Sequence, residues 1–164
     1  ELVDLSDVID EAVERNAFRA ERYNVKINAM APRGVLVVGD QEMLTAALKN
    51  LIENAIIYSD EHDSVGVGLQ INKNLAEISV TDTGIGMSEE DQKRVFERFY
   101  RVDPSRSRKT GGTGLGLSIV KHAALSHNGE VSVFSKPGVG STFTLRLPLA
   151  DKKIVVADSD RSNA

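Results

Sequence analysis

Leu44, Leu48, Leu51 and Ala55 follow one another at spacings of four, three and four. That is the period of one side of an α-helix, so this segment carries a continuous apolar stripe that another layer has to cover. Asp40 stands where it can cap the helix, and Pro32-Arg33-Gly34 turns the chain into a short apolar strand, 35–38, just before it. The covering layer is legible in segments of alternating character. Residues 65–69 and 76–81 alternate on either side of Asn72-Lys73-Asn74, and 130–135 and 142–147 flank the turn Pro137-Gly138-Val139-Gly140. Upstream, Ser6 is placed to cap a helix with Val8, Ile9, Ala12, Val13, Ala17 and Ala20 on one face, followed by a strand opening at Val25-Lys26-Ile27. Ser88 with Glu89, Glu90 and Asp91 opens a short helix through Phe96, and 115–126 reads as a helix closed by Asn128-Gly129. Hairpins interspersed with helices predict an α+β fold, a two-layer α/β sandwich with helices on one face of a mixed sheet.

With 164 residues, 41% hydrophobic and 27% charged, the chain fits one domain with a core of its own. We place it at 1–149 and expect 150–164, polar and charged around Ile154 and Val156, to be a disordered tail. The absence of cysteine excludes disulfides and thiolate metal sites and suits a reducing compartment. The sequence contains no apolar run of membrane-spanning length and no secretory signal, and its first residue is Glu1. This points to a fragment of a longer protein, cytoplasmic itself, with any membrane anchor outside it. A net charge of −4 argues against nucleic acid as a partner. Basic charge is nevertheless concentrated locally, with Lys93, Arg94, Arg98, Arg101, Arg106, Arg108 and Lys109 set against Glu97 and Asp103. That run is either a solvated surface or the flank of a polyanion site.

The run leads into RKTGGTGLGLSIVKH, residues 108–122, where glycines stand at 111, 112, 114 and 116. Glycines ahead of a helix N-terminus let backbone N–H groups approach an anion. The stretch is not a P-loop, because Leu117 and Ser118 follow Gly116 where a lysine would have to hold phosphate. Nor is it a dinucleotide fingerprint, because Ile119 occupies the third glycine position and no strand leads in. A bare structural loop remains the alternative at this point.

Two further constellations bear on it. Asn50, Asn54 and Tyr58 recur every four residues and share a face of the central helix, opposite the leucine stripe. Asparagine is a poor helix former, and its amide oxygen suits a hard cation such as Mg²⁺; plain solvent exposure is the other explanation. In TDTGIGM, 81–87, Asp82 ends an alternating strand and Gly84 and Gly86 follow. A carboxylate there can accept from an exocyclic amine beside a backbone bare enough for a flat base; a simple strand-to-helix turn also accounts for it.

Taken in order, Asn50-Leu-Ile-Glu-Asn54, Asp82-Thr-Gly84-Ile-Gly86, VFERFYR at 95–101 and Gly112-Thr113-Gly114-Leu115-Gly116-Leu117 resemble the four boxes of the catalytic ATP-binding domain of sensor histidine kinases. The resemblance extends over nearly the whole chain, and the stretch from Arg101 to His122 looks most like the phosphate-sensing type. It implies the α/β sandwich shared with gyrase, a heat-shock chaperone and mismatch-repair ATPases, with a mobile ATP lid built on the glycines. It implies ATP and Mg²⁺ as cofactors, Asn54 as the metal ligand and Asn50 assisting it. Asp82 would receive the adenine amine, with Gly84 and Gly86 letting the base approach, Tyr58 lining the base or ribose, and Thr142 assisting near Asp82 unless it is an ordinary strand residue. Arg101 would contact phosphate, with Arg106, Arg108 and Lys109 as lid charges. Gly112, Thr113, Gly114, Leu115, Gly116 and Leu117 would close over the phosphates, and Phe96 and Phe99 would anchor the lid in apolar contacts. Hydrolases of this superfamily carry a glutamate at the position of Asn50; an amide cannot act as a general base, which favours phosphoryl transfer, and Glu53 is expected to pack or to bond in support.

Two features depart from the family pattern. Ile57 stands where many relatives have a phosphate-binding lysine, so Ile57→Lys should tighten nucleotide binding by a charged hydrogen bond, about 1.5–3 kcal/mol; unchanged affinity would refute this. None of His62, His122 and His127 lies in the setting of a phospho-accepting histidine, and each reads as a surface or helix-end residue. The acceptor is therefore expected on a separate dimerisation and histidine-phosphotransfer domain of the parent kinase, with a response regulator downstream and no membrane contact by this fragment. The competing readings are an anti-sigma-type serine kinase and a catalytically silent nucleotide-binding module.

Overall fold

A computed structural model of the chain describes residues 1–103 and 116–150. At its centre runs α3 (Gln41–Tyr58), capped as expected by Asp40, whose carboxylate accepts from the Met43 N–H at 3.0 Å. Leu44, Leu48, Leu51 and Ala55 are all buried, and Thr45, Ala47, Ile52 and Ile56 widen the buried face beyond that stripe. One geometric expectation needs correction. At 100° per residue Tyr58 lies only about 20° from Leu51, so the row Asn50, Asn54, Tyr58 borders the apolar face instead of opposing it. All three side chains are half-buried as a result.

Preceding α3 are β1 (Leu2–Asp4), α1 (Leu5–Arg15), α2 (Ala17–Arg22), β2 (Lys26–Met30) and β3 (Leu36–Val38). The expected first helix is thus two helices. The break falls at Asn16, which is fully buried and whose amide donates to the carbonyls of Ala12 (3.0 Å) and Lys49 (3.1 Å), tying α1 to α3. Ala17 is turned outward. The cap is also not Ser6: Asp4 accepts from the Ser6 N–H at 2.9 Å and from its hydroxyl at 2.8 Å, and Ser6 itself is buried.

After α3 come β4 (Ser64–Asn72), β5 (Leu75–Asp82), α4 (Glu89–Arg94), α5 (Gly116–Ser126), β6 (Glu130–Lys136) and β7 (Gly140–Pro148). The large sheet has the order β2-β4-β5-β7-β6, with β2 parallel to β4 and every other neighbour antiparallel, while β1 and β3 form a small antiparallel pair. A parallel pair needs a crossover connection, and the chain through β3 and α3 supplies it. Both expected hairpins form. Alternation turns Ala76, Ile78 and Val80 of β5 and Phe143, Leu145 and Leu147 of β7 onto the helices, where they are buried. On the other face Arg146 bonds Glu77 at 2.7 Å and Ser132 at 2.8 Å, and Gln70 donates to Glu77 at 3.1 Å, a polar ladder across four strands.

The helix α4 is shorter than expected, ending at Arg94, and Phe96 instead packs edge-on against Phe143 with ring centroids 5.9 Å apart. Gln92 of α4 meets the outer edge of β6: its amide N–H donates to the Ser135 carbonyl and its oxygen accepts from the Ser135 N–H, both at 3.2 Å. Packed beside α3, α5 buries Val120, Ala123 and Ala124. His127 closes the two helices together at its end, its Nε2 accepting from the Asp40 N–H at 3.0 Å and its Nδ1 lying 2.7 Å from the Ala123 carbonyl. Of the expected tail, 150–164, residues 151–164 lie outside the described residues, while Ala150 is held on the fold, its N–H donating to the Leu36 carbonyl at 2.9 Å. Among the described residues no helix is long and apolar enough to cross a membrane.

Candidate functional site

Where the polar row of α3 borders its apolar face, the helical layer parts from the sheet and leaves a cleft. Its described lining is Asn54 and Tyr58 from α3, Asp82 from the end of β5, Gly86 and Met87 from the following loop, Val95, Tyr100 and Val102 from the segment after α4, Leu117 from α5 and Ser141 from β7. Five of the residues expected from sequence, Asn54, Tyr58, Asp82, Gly86 and Leu117, are therefore brought together.

Asp82 is the chemical centre. Being on an even position of β5 it faces the helices, and it is 4% exposed. Burial pushes its pKa up from the ordinary carboxylate value; the backbone hydrogen bonds from Gly84, at 2.9 Å, and from Ser141 act against that, and Asp63 nearby adds to the rise. An acceptor held this way among Met87, Val95, Val102 and Leu117 suits a flat, apolar ligand with a single N–H donor at its edge.

The glycines act differently from expectation. A Cβ on Gly84 would lie 1.8 Å from the Tyr58 carbonyl oxygen, and one on Gly86, at φ +70°, 2.1 Å from the Lys136 carbonyl oxygen. Protein backbone, not a ligand base, occupies the bare side of each. Gly140, at φ +139° and with its Cβ direction 2.1 Å from the Asp82 carbonyl oxygen, belongs to the same set, although the sequence marks it only as turn material. Together they let the end of α3, the loop after β5 and the β6–β7 turn close on one another around Asp82.

Thr142 is not beside Asp82. It pairs with Thr81, the two hydroxyls 3.2 Å apart, on the sheet face away from the cleft. The partner of Asp82 is Ser141, buried, lining the cleft and bonded through its hydroxyl to that of Ser135 at 2.8 Å. Thr142 alone is expected from sequence; Ser141 stands next to it, and only the strand register distinguishes the two. Met87, Val95, Tyr100 and Val102 are also absent from the sequence reading as cleft residues, because loop positions carry no period.

Asn50 lies one turn from Asn54 and against the start of α5: a Cβ on Gly116 would be 3.8 Å from its Cβ and Cγ. The amide row therefore runs from the cleft toward the glycine segment. Arg101 is half-buried, between the cleft residues Tyr100 and Val102. Phe99 is 65% exposed, so it does not pack as an apolar anchor, whereas Phe96 packs against Phe143; the lid they were expected to anchor lies outside the described residues. Gly112, Thr113, Gly114 and Leu115, with Arg106, Arg108 and Lys109, lie outside the described residues. Glu53 is engaged by Arg19 at 3.4 Å and Lys49 at 3.1 Å, on the side of α3 that meets α2. Among the described residues no cluster of three or more His, Cys, Asp or Glu could hold a metal ion.

A family model described as "Histidine kinase-, DNA gyrase B-, and HSP90-like ATPase" matches residues 39–151. The sensor-like histidine kinase SenX3 of Mycobacterium tuberculosis is 49% identical over 146 residues, 89% of this chain and 36% of that protein. The phosphate regulon sensor protein PhoR of Pseudomonas aeruginosa is 40% identical over 138 residues, 84% of this chain and 30% of that protein. The chain thus spans about a third of the length of these curated relatives. Among solved structures, the mycobacterial sensor histidine kinase MprB matches with a TM-score of 0.76 at 34% identity, covering 91% of this chain and 97% of that one. Full-length ShkA in complex with AMPPNP matches with a TM-score of 0.77 at 27% identity, over 92% of this chain and 31% of that one.

Proposed function

The chain belongs to the histidine kinase-, DNA gyrase B- and HSP90-like ATPase family as an ATP-binding domain of the sensor histidine kinase kind, and we propose that it binds Mg-ATP in the cleft around Asp82 and presents the γ-phosphate to a histidine on another domain of its parent. The observation that carries this reading is the convergence of a buried, backbone-supported carboxylate, apolar walls and the amide row of α3 on one cleft.

In this reading the Asp82 carboxylate accepts from the adenine amine, and Met87, Val95, Val102 and Leu117 keep water from the base. Tyr58 lies along the base or ribose. Asn54, with Asn50 behind it, fits the cation through its amide oxygen, and bound Mg²⁺ supplies charge neutralisation to the phosphates. Arg101 contacts phosphate, and the glycine segment from Gly112 to Gly116 closes above. Among the described residues none on this side of the cleft is placed to activate water: Asn50 cannot take a proton, Glu53 is held by Arg19 and Lys49, and Asp82 is at the base end. The residues favour transfer to a positioned nucleophile over hydrolysis, with a dimerisation domain as acceptor and a response regulator beyond it.

Calorimetric titration of Mg-ADP and of a non-hydrolysable Mg-ATP analogue, with Asp82→Asn in parallel, tests the site. Binding that the substitution abolishes is expected. A folded chain that binds neither nucleotide, or whose Asp82→Asn variant binds equally well, refutes the assignment. Addition of a kinase dimerisation domain and labelled ATP then reads histidine phosphorylation directly.

A further inference from the structure

We infer that Asp91, on α4 and outside the cleft, is a positioning residue for the nucleotide, acting by holding Tyr100 in the cleft wall. The inference rests on the nucleotide reading of that cleft. Tyr100 lines the cleft together with Val95 and Val102. Its hydroxyl donates to the Asp91 carboxylate, and the Arg94 guanidinium lies over its ring, 4.7 Å from the centroid. Arg94 is itself fixed by Glu97 at 2.7 Å, and the Tyr100 N–H donates to the Glu97 carbonyl at 3.2 Å. The ring is thus gripped through its hydroxyl, its face and its backbone by one short helix and the turn that follows.

The backbone just before Tyr100 supports the same conclusion. Phe99 has φ +66°, a left-handed conformation that a bulky residue adopts at a cost, and its own side chain is turned to solvent. The strain gains Phe99 little burial; it delivers Tyr100 between α4 and the cleft. The Asp91 carboxylate also pushes the Tyr100 hydroxyl pKa up, so the hydroxyl stays a donor at neutral pH. Asp91 is free for this task because the helix cap uses its backbone N–H, which donates to the Ser88 hydroxyl at 3.1 Å, and not its side chain. Two charges outside the cleft lining, Asp91 and Arg94, therefore set the position of one wall of the site, and whatever draws α4 away from Tyr100 loosens nucleotide binding.

The test is the Mg-ADP dissociation constant, by calorimetry, of Asp91→Ala, Tyr100→Phe, their double variant and Asp91→Asn, with the thermal unfolding midpoint of each measured without nucleotide. Each of the first two should weaken binding by about five- to tenfold, less than the full loss of a hydrogen bond to a charged group because that bond reaches the nucleotide only through the ring it holds. The double variant should bind no more weakly than either single one, since both remove the same interaction. Asp91→Asn should keep most of the affinity, because its amide oxygen accepts the same bond. A Tyr100→Phe or Asp91→Ala variant that binds like the unsubstituted chain overturns the inference. So does a double variant showing the product of the two losses, or a set in which only the unfolding midpoints move. Asp82→Asn, run alongside, separates the two layers: if it loses binding while Tyr100→Phe keeps it, only the role of Asp91 fails, whereas an unsubstituted chain that binds no Mg-ADP overturns both.

Discussion

Replacing Gly84 by alanine tests how the cleft is assembled. The added Cβ would stand 1.8 Å from the Tyr58 carbonyl oxygen and 2.7 Å from its carbon, both backbone atoms at the end of α3. To reach 3.0 Å, the loop after β5 and the end of α3 must separate by 1.2 Å, which is 3.0 less 1.8. No side-chain rotation can provide that. The same movement draws the Gly84 N–H away from Asp82, a 2.9 Å bond to a buried carboxylate. Overpacking costs about 1–3 kcal/mol and the lost charged hydrogen bond about 1.5–3 kcal/mol, roughly 2.5–6 kcal/mol together. For a chain of this size that is a fall in melting temperature of about 5–20 °C. Because Tyr58 and Asp82 both line the cleft, Mg-ADP affinity should fall by about tenfold or more. Thermal unfolding by circular dichroism and calorimetric titration read the two effects, with Gly68→Ala as control, since a Cβ there meets nothing within 4 Å. A Gly84→Ala chain that melts within about 2 °C of the unsubstituted one and binds Mg-ADP equally well would refute the reasoning.

Asp82→Asn, while losing nucleotide, should stabilise the empty chain at neutral pH. The pKa of Asp82 is raised by burial, so its favourable contribution is complete below the unfolded carboxylate pKa and is lost as pH rises through the folded one. The melting temperature of Asp82→Asn minus that of the unsubstituted chain should therefore widen upward from about pH 4 and then level off, and a difference that does not change with pH counts against this. Ser141→Ala should weaken Mg-ADP binding by about three- to tenfold, whereas Thr142→Val leaves it unchanged; the reverse order, by the same titration, would restore Thr142 to the site. Asn16→Ala removes a buried hydrogen bond back into α1 and a part-buried one from the helix break to α3, and should cost about 1–3 kcal/mol in urea unfolding; a smaller change than about 0.5 kcal/mol would mean the helix break is set locally.

The layers were legible in the sequence because their signals are periodic. The leucine stripe of α3 and the alternation of both hairpins each repeat several times within one element, so one position more or less does not alter the reading. What stayed hidden is set between elements. The break at Asn16 depends on the Lys49 carbonyl in another helix, and the choice of Asp4 over Ser6 as cap follows from β1, three residues long and too short to show alternation. The site divides in the same way. Asn54, Asp82 and Leu117 belong to local motifs and were found, whereas Ser141 needed the register of β5 against β7. At Gly84 and Gly86 the atoms an added Cβ would meet are backbone, and a glycine's sequence context does not reveal that.

An open sheet leaves the main chain of its last strand ready to pair with another chain, and proteins blunt this with charge, proline or a covering element. On β6 the task falls to the side chain of Gln92. A primary amide presents one donor and one acceptor side by side, like a peptide group, and at Ser135 it occupies the place where the first residue of an added strand would pair. Because a side chain ends there, the ladder goes no further at that position. The arrangement makes solubility conditional on α4 remaining docked. A molecule in which α4 lifts away, whether by mutation or by local opening, exposes a raw strand edge, so self-association under mild denaturation should begin at β6.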